Sequence, residues 1–365
     1  MINIRKTLAG AGGALFVALG LLLPQAATAA PASAPSASIE VNPASLKPPA
    51  KPPTVTKANT VKAKTLTGKI PHKVPNAGGV TTQTVTACAA PPCYFYAGGK
   101  HDFTAPTAPT GVYGNKMIDW SYTDYYARDS GAHNVGELAV IRKRASGLRD
   151  IVEVGTVSDR AMSPTGNDEP HFFVFAWVNG APYGAYNSGF VNYTGANNCT
   201  YHPGDNMGAI NGTSLAMGIE FVNTPGTAVG WWASNGGKWC GYFPADPAAT
   251  SVAGNLWYGS GANFGSATQI QAFGEVASSL NQPCTDMGNG TQGTASTTGT
   301  YNYNTMPTYW STVSEVGATT TLTLFNIPAG PPYDVKFLTG SVRSIFEGGT
   351  GWDSWGNLPG TRGNC

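Results

Sequence analysis

Apolar residues along this chain fall at alternate positions or in short β-branched and aromatic runs, and turn residues end each run before a helical period can develop. Residues 172–178 form an aromatic, β-branched run closed by Asn179-Gly180, a strand followed by a tight turn. Residues 217–223, 229–233 and 238–243 predict a three-stranded meander. Thr224-Pro225-Gly226 and Ser234-Asn235-Gly236-Gly237 supply its turns. Residues 151–157, 269–276, 319–325 and 335–346 add further strands. With 47 glycines, no long amphipathic helix and no internal repeat, the pattern predicts an all-β protein. Its expected form is an antiparallel two-sheet β-sandwich of jelly-roll or concanavalin-like type.

The first 85 residues do not share this pattern. Arg5 and Lys6 precede an apolar run over residues 9–23 and the small residues Ala27-Thr28-Ala29, so residues 1–29 read as a secretory signal peptide. No later segment has the roughly 20 apolar residues of a membrane helix, and a secreted, extracellular product is expected. Residues 30–85 are rich in Pro, Ala, Lys, Thr and Val and carry no aromatic ring other than His72. Such a stretch cannot bury enough surface to fold alone, and it predicts a disordered or loosely docked propeptide or linker. All 9 Trp and all 16 Tyr lie beyond residue 86, so residues 86–365 are expected to form the β-sandwich domain.

Charge divides the chain in the same place. After residue 100 there are 19 acidic residues against 11 basic ones, whereas residues 31–100 carry eight lysines against Glu40 alone. A basic leader on an acidic domain predicts an attraction that weakens as carboxylates protonate. The acidic domain also argues against nucleic acid as a partner. Six cysteines, Cys88, Cys93, Cys199, Cys240, Cys284 and Cys365, suit three disulfides in an oxidising compartment. Cys88–Cys93, Cys199–Cys240 and Cys284–Cys365 are the expected pairs. No Cys-x-x-Cys or His-containing cluster has zinc-ligand spacing, and neither a metal nor another cofactor is expected.

Gly-x-Ser-x-Gly is absent, and the five histidines are scattered. His72 lies in the leader; His101, His133, His171 and His202 read as surface or hydrogen-bonding residues. Two carboxylates stand out instead. Glu153 sits in the apolar strand Ile151-Val152-Glu153-Val154-Gly155, and Glu275 in Gln271-Ala272-Phe273-Gly274-Glu275-Val276. A glutamate on a core-like strand is costly unless it is paired or functional. By alternation Glu275 shares a face with Phe273 and Gln271, and Glu153 with Ile151 and Gly155. Glu220, in Gly218-Ile219-Glu220-Phe221-Val222, reads as a surface residue.

Four motifs then occur in one order. Asp150-Ile151-Val152-Glu153-Val154-Gly155 resembles the first glutamate strand of the neprosin family of glutamic peptidases. Gly230-Trp231-Trp232-Ala233 with Cys240-Gly241-Tyr242-Phe243-Pro244 resembles that family's Trp-Trp hairpin. Phe273-Gly274-Glu275-Val276 resembles its second glutamate strand, and Thr285-Asp286-Met287-Gly288-Asn289-Gly290 a following Thr-x-Met-Gly-Ser-Gly element. Val154, Thr156 and Phe273 depart from the family pattern, and Glu137 stands near the place of a family Gln. The short basic leader also differs from the larger activation segment of plant members. The resemblance implies a secreted, bacterial-like glutamic endopeptidase acting through Glu153 and Glu275 on polypeptides next to proline. Gln271, Tyr242, Trp232 and Glu137 are the candidates for substrate or oxyanion support. The leader is then the enzyme's own propeptide, loosened by acid and cut by the enzyme itself. Two other classes share the secreted, aromatic-rich character. One is a sandwich glycoside hydrolase with two glutamates; the other is a carbohydrate-binding module using Trp231, Trp232, Trp239 and Trp257 as stacking platforms.

Overall fold

The computed structural model describes residues 51–69, 71–73, 90–104, 111–118, 131–144, 147–162, 169–210, 213–245, 264–279, 287, 308–315, 323–327, 333–337 and 352–356. Among them are sixteen strands and two single 3-10 turns. The strands form two antiparallel sheets, the sandwich that the alternation predicts.

The first sheet has the order β1-β8-β11-β10-β9-β3-β13-β16-β15. Its strands are β1 (Thr60–Lys62), β3 (Gly111–Met117), β8 (Val191–Tyr193), β9 (Ser214–Val222), β10 (Gly230–Asn235) and β11 (Lys238–Pro244), with β13 (Thr308–Glu315), β15 (Tyr333–Phe337) and β16 (Trp352–Gly356). The second has the order β14-β2-β12-β4-β5-β6-β7. It contains β2 (Cys93–Thr104), β4 (His133–Arg144), β5 (Arg149–Asp159), β6 (His171–Val178), β7 (Ala181–Pro182), β12 (Phe264–Ser278) and β14 (Thr323–Ile327). The meander is β9-β10-β11. The strands expected over 319–325 and 335–346 overlap β14 and β15, and residues 319–322 and 338–346 lie outside the described ones.

Alternation assigns the faces. Leu138, Val140, Val152, Val154, Phe172 and Val174 of the second sheet meet Val112, Met217, Ile219, Trp231 and Phe243 of the first in one buried core. Each such large apolar side chain contributes on the order of 1.5–3 kcal/mol by leaving water. The intervening residues of β4, β5 and β12, at odd positions, therefore point to the outer face of the second sheet. That face is also buried: β5 is covered on both sides from Asp150 to Asp159. Part of its cover is the leader.

The leader is docked on the sandwich over its described residues 51–69 and 71–73. The Thr56 N–H donates to Asn59 Oδ1 at 2.6 Å, closing the turn Lys57–Asn59. β1 then pairs with β8 and adds an edge strand to the first sheet. Ala63 N–H donates to Phe190 O, Leu66 N–H to Tyr186 O, and the Asn187 side-chain amide to Lys64 O at 2.8 Å. Asn187 also accepts from Val174 N–H, so one side chain ties the leader to β6. Leu66 is buried against Phe173, Phe175 and Tyr186, an apolar anchor in a segment otherwise poor in them. An extended chain needs no core of its own when a sheet edge satisfies its backbone.

Cys199 and Cys240 form the expected disulfide. Cys93 is also disulfide-bonded. Cys88, Cys284 and Cys365 lie outside the described residues, as do the signal segment, Trp257 and most of the 285–290 element. Among the described residues no helix is long and apolar enough to cross a membrane.

Candidate functional site

β4 lies between β12 and β5, and its register sets three glutamates diagonally across the outer face. Glu275 is opposite Val135, Glu137 is opposite Phe273 and Gly155, and Glu153 is opposite Ala139. Opposed residues share a face, so Glu275, Glu137 and Glu153 all project to the same side. All three are fully buried. Gly155 is what lets Glu137 stand there: a Cβ on it would lie 2.1 Å from Gly136 O and 3.0 Å from Glu137 Cβ.

The cation that faces them comes from the leader. His72 Nε2 is 2.8 Å from Glu153 Oε2 and 3.4 Å from Glu137 Oε2, while Nδ1 is 3.2 Å from Glu275 Oε1. Glu153 and Glu275 are thus one imidazole ring apart. Alternate residues of β6 wall the ring: Phe175 at 5.1 Å, Phe173 at 6.1 Å and Trp177 at 6.2 Å between centroids, with Tyr186 at 5.5 Å. Aromatic faces favour a cation at such distances. On either side of His72, Tyr94 donates its hydroxyl to Pro71 O at 2.7 Å, and Lys73 Nζ lies 4.4 Å above the Tyr94 ring. A second histidine approaches from β4: His133 Nε2 is 2.6 Å from Glu275 Oε1.

Burial dominates the titration of this cluster and opposing charges divide it. Desolvation, together with Glu153, raises Glu137 well above the ordinary range. Desolvation also raises Glu153, against the pull of His72. For Glu275 desolvation is outweighed by His72 and by the hydrogen bonds from both histidines, and the carboxyl is lowered. Burial alone would lower His72, but Glu137, Glu275, Tyr186 and Glu153 together hold it well above its ordinary value, as an imidazolium. The unequal partners separate the glutamates into one ionised group and two that hold protons more tightly. Burial beside Glu275 pushes the Tyr94 phenol up to about 12, so it remains a donor.

Two clefts meet at His72. One of about 490 Å³ is bordered by Leu148, Arg149, Ile151, Trp177 and Pro182; the other, of about 240 Å³, by Leu66, Gly68, Phe175 and Tyr186. Pro71 and His72 border both, with Lys73 on the larger and Leu66, Thr67 and Gly68 on the smaller.

Two triads bring potential metal-ligand atoms within 4.8 Å of one another: His72, His133 and Glu275, and His72, Glu137 and Glu153. Both depend on the leader histidine. Their closest N···O contacts, 2.6 and 2.8 Å, are hydrogen-bond lengths, whereas two ligands sharing a tetrahedral zinc at ~2.0–2.2 Å stand roughly 3.4 Å apart. A shared proton suits this spacing better than a shared ion.

The other residues singled out in the sequence divide by face. Gln271 is buried on the glutamate face, in one row with Ala139 and Glu153, and donates to Gln269 Oε1 at 2.5 Å. Its Oε1 has no hydrogen-bond partner. Trp232 and Tyr242 stack at 4.9 Å with Trp239 nearby, in a separate cluster on the far side of the first sheet. They do not join the glutamates. Trp231, Trp232 and Trp239 are all buried, which is sheet packing and not an open stacking platform. Glu220 lies half-buried beside Trp232, accepting from the Tyr113 hydroxyl at 2.6 Å. The sequence reading overlooked His72 and His133 as site residues. Its available signal for His72 was a single imidazole in a leader lacking every other aromatic.

An antiparallel sandwich carrying a buried carboxylate cluster on one outer face, closed by its own leader, is the class that fold and site define. No protein-family model matches the chain, and no curated protein matches it by sequence.

Proposed function

We propose that this protein is the zymogen of a secreted glutamic endopeptidase of the neprosin kind, with Glu153 and Glu275 as its catalytic pair. The observation that carries the reading is the insertion of the leader's His72 between these two glutamates, with leader residues bordering the cleft on each side of it. A groove that accepts an extended chain across paired carboxylates suits a polypeptide substrate. The four motifs in family order support the same reading, and they carry the expectation of cleavage next to proline.

With the leader gone, a water molecule takes the place of the imidazole. A carboxylate removes one of its protons as it attacks the peptide carbonyl, and a carboxylic acid protonates the carbonyl oxygen. The tetrahedral diol then collapses: one hydroxyl returns a proton to the carboxylate that had protonated the carbonyl oxygen, the C–N bond breaks, and the proton first taken from water goes to the leaving amine. Both glutamates return to their starting states. One of them must be protonated, so the reaction belongs to acidic solution.

The test is cleavage of a proline-containing peptide library by acid-treated protein, from acidic to neutral pH, beside Glu153→Gln and Glu275→Gln. Acidic cleavage lost in both folded variants supports the reading. Processed, folded wild type that leaves every peptide intact overturns it and returns the weight to glycan chemistry.

A further inference from the structure

We propose that His133 is the positioning residue of the glutamate pair: through its contact with Glu275 it makes Glu275 the proton acceptor, and leaves Glu153 as the proton donor. The inference rests on the peptidase reading above and assigns the two roles within it.

The geometry is asymmetric. Glu153 faces the leader's His72 and β4's Glu137, whereas Glu275 faces His72 and also His133. When the leader departs, Glu153 loses its imidazole partner. Glu275 keeps one, because His133 belongs to β4 and is bound into the sheet opposite Ala277 and Asp159. His133 and Glu275 are both fully buried, and their 2.6 Å contact is the shortest of the histidine–glutamate contacts in the cluster. Such a charge-assisted bond favours the ionised carboxylate.

The surrounding groups favour the same division. Asp159 faces His133 from β5; burial raises its carboxyl and the contact with His133 works against that rise. Tyr96, opposite Glu275 on β2, and Tyr186 and Tyr94 nearby are held in their neutral forms by burial and by Glu275. Lys69 of the leader acts on Asp159 only while the leader is docked. Glu137, between the two catalytic glutamates, is raised chiefly by burial and by Glu153, so it adds a protonated neighbour on the Glu153 side. In the first step water's proton goes to Glu275 and Glu153 gives its own to the carbonyl oxygen; in the second each transfer reverses onto the amine and the diol.

The experiment compares acid-processed wild type with His133→Leu, which removes the donor, and His133→Gln, which keeps an N–H at similar reach. Two readouts are taken: the pH profile of kcat/KM, and the titration of the Glu275 carboxyl by 13C NMR, assigned against Glu275→Gln. Expected for His133→Leu are an acidic limb displaced upward by about one pH unit or more, hence about a tenfold loss on the acid side, with KM little changed. The Glu275 titration moves by the same amount, and His133→Gln recovers most of both. An unmoved acidic limb and Glu275 titration in a folded His133→Leu would overturn the assignment. So would a wild type in which Glu153 ionises before Glu275. Should wild type prove inactive on peptides, the peptidase reading fails by itself, and the NMR titration still decides whether His133 sets the order of ionisation.

Discussion

His72 Nε2 lies 2.8 Å from Glu153 Oε2 although 81 residues separate them, and both side chains are inaccessible to solvent. The contact makes the leader a stopper in the carboxylate site. In His72→Ala the full-length chain should cleave peptide without prior acid treatment, and residues 54–69 should exchange amide hydrogen faster at neutral pH. Removing one partner from a buried ion cluster costs about 3–5 kcal/mol, enough to loosen a segment held otherwise by one short strand, Leu66 and a few hydrogen bonds. Peptide cleavage assays and hydrogen exchange on the full-length protein check this. An intact, protected leader in the variant would show that the strand and Leu66 suffice.

The pH range of closure follows from the shifts on the two sides of this contact. His72 is raised when caged, so its share of the docking energy is complete below the ordinary histidine range and drains away as pH rises through the raised value. Glu275 is lowered, so its share is present above the ordinary carboxylate range and lost as pH falls through the lowered value. Glu137 and Glu153, raised by burial, take up protons earlier in the descent and leave Glu275 as the last counter-charge. Closure is therefore tightest in mildly acidic solution, between the ordinary glutamate and histidine values of about 4.3 and 6.5. The leader should leave below about pH 4.3, the ordinary glutamate value, a transition that hydrogen exchange of residues 54–69 across pH 3–7 would record.

Glu137 and Glu275 should respond differently to the same amide substitution. Burial keeps Glu137 protonated, and glutamine has nearly the shape and hydrogen-bonding of a protonated glutamate. Glu137→Gln should hold its leader at neutral pH and change thermal stability little. Glu275→Gln removes the ionised partner of both histidines and should weaken leader docking by about 3–5 kcal/mol. Limited proteolysis of the leader at pH 7 separates the two: resistant in the first, cut in the second.

Strand alternation made the two sheets and the glutamate faces legible, because a period of two is a local property. The same alternation could not say which sheet faces which. Trp232 and Tyr242 were grouped with the glutamates on motif order, yet they lie on the first sheet's far side. Glu137 had only a loose claim until β4 was found between β12 and β5. His72 escaped for a related reason: its partners stand 81 and 203 residues away. The attraction expected between basic leader and acidic domain was assigned to lysines, whereas the buried cation is a histidine that a formal count leaves neutral. Composition records how many charges exist, and only the fold records which of them is buried with a partner.

Gly155 offers a test of the carboxylate diagonal that leaves every titrating group in place. In Gly155→Ala the added methyl would meet Gly136 O at 2.1 Å and Glu137 Cβ at 3.0 Å. The nearer atom is backbone in the adjoining central strand, which no side-chain rotation can clear. β4 and β5 must then separate locally, and Glu137 must shift from between Glu153 and Glu275. Overpacking of this kind costs about 1–3 kcal/mol. The variant should unfold at lower temperature than wild type, and its leader should detach at a higher pH because the cage around His72 no longer closes evenly. Thermal unfolding and leader exchange, measured on the same sample, give both numbers. A variant with unchanged Tm and unchanged release pH would mean that β4 and β5 are farther apart at Gly155 than this register requires.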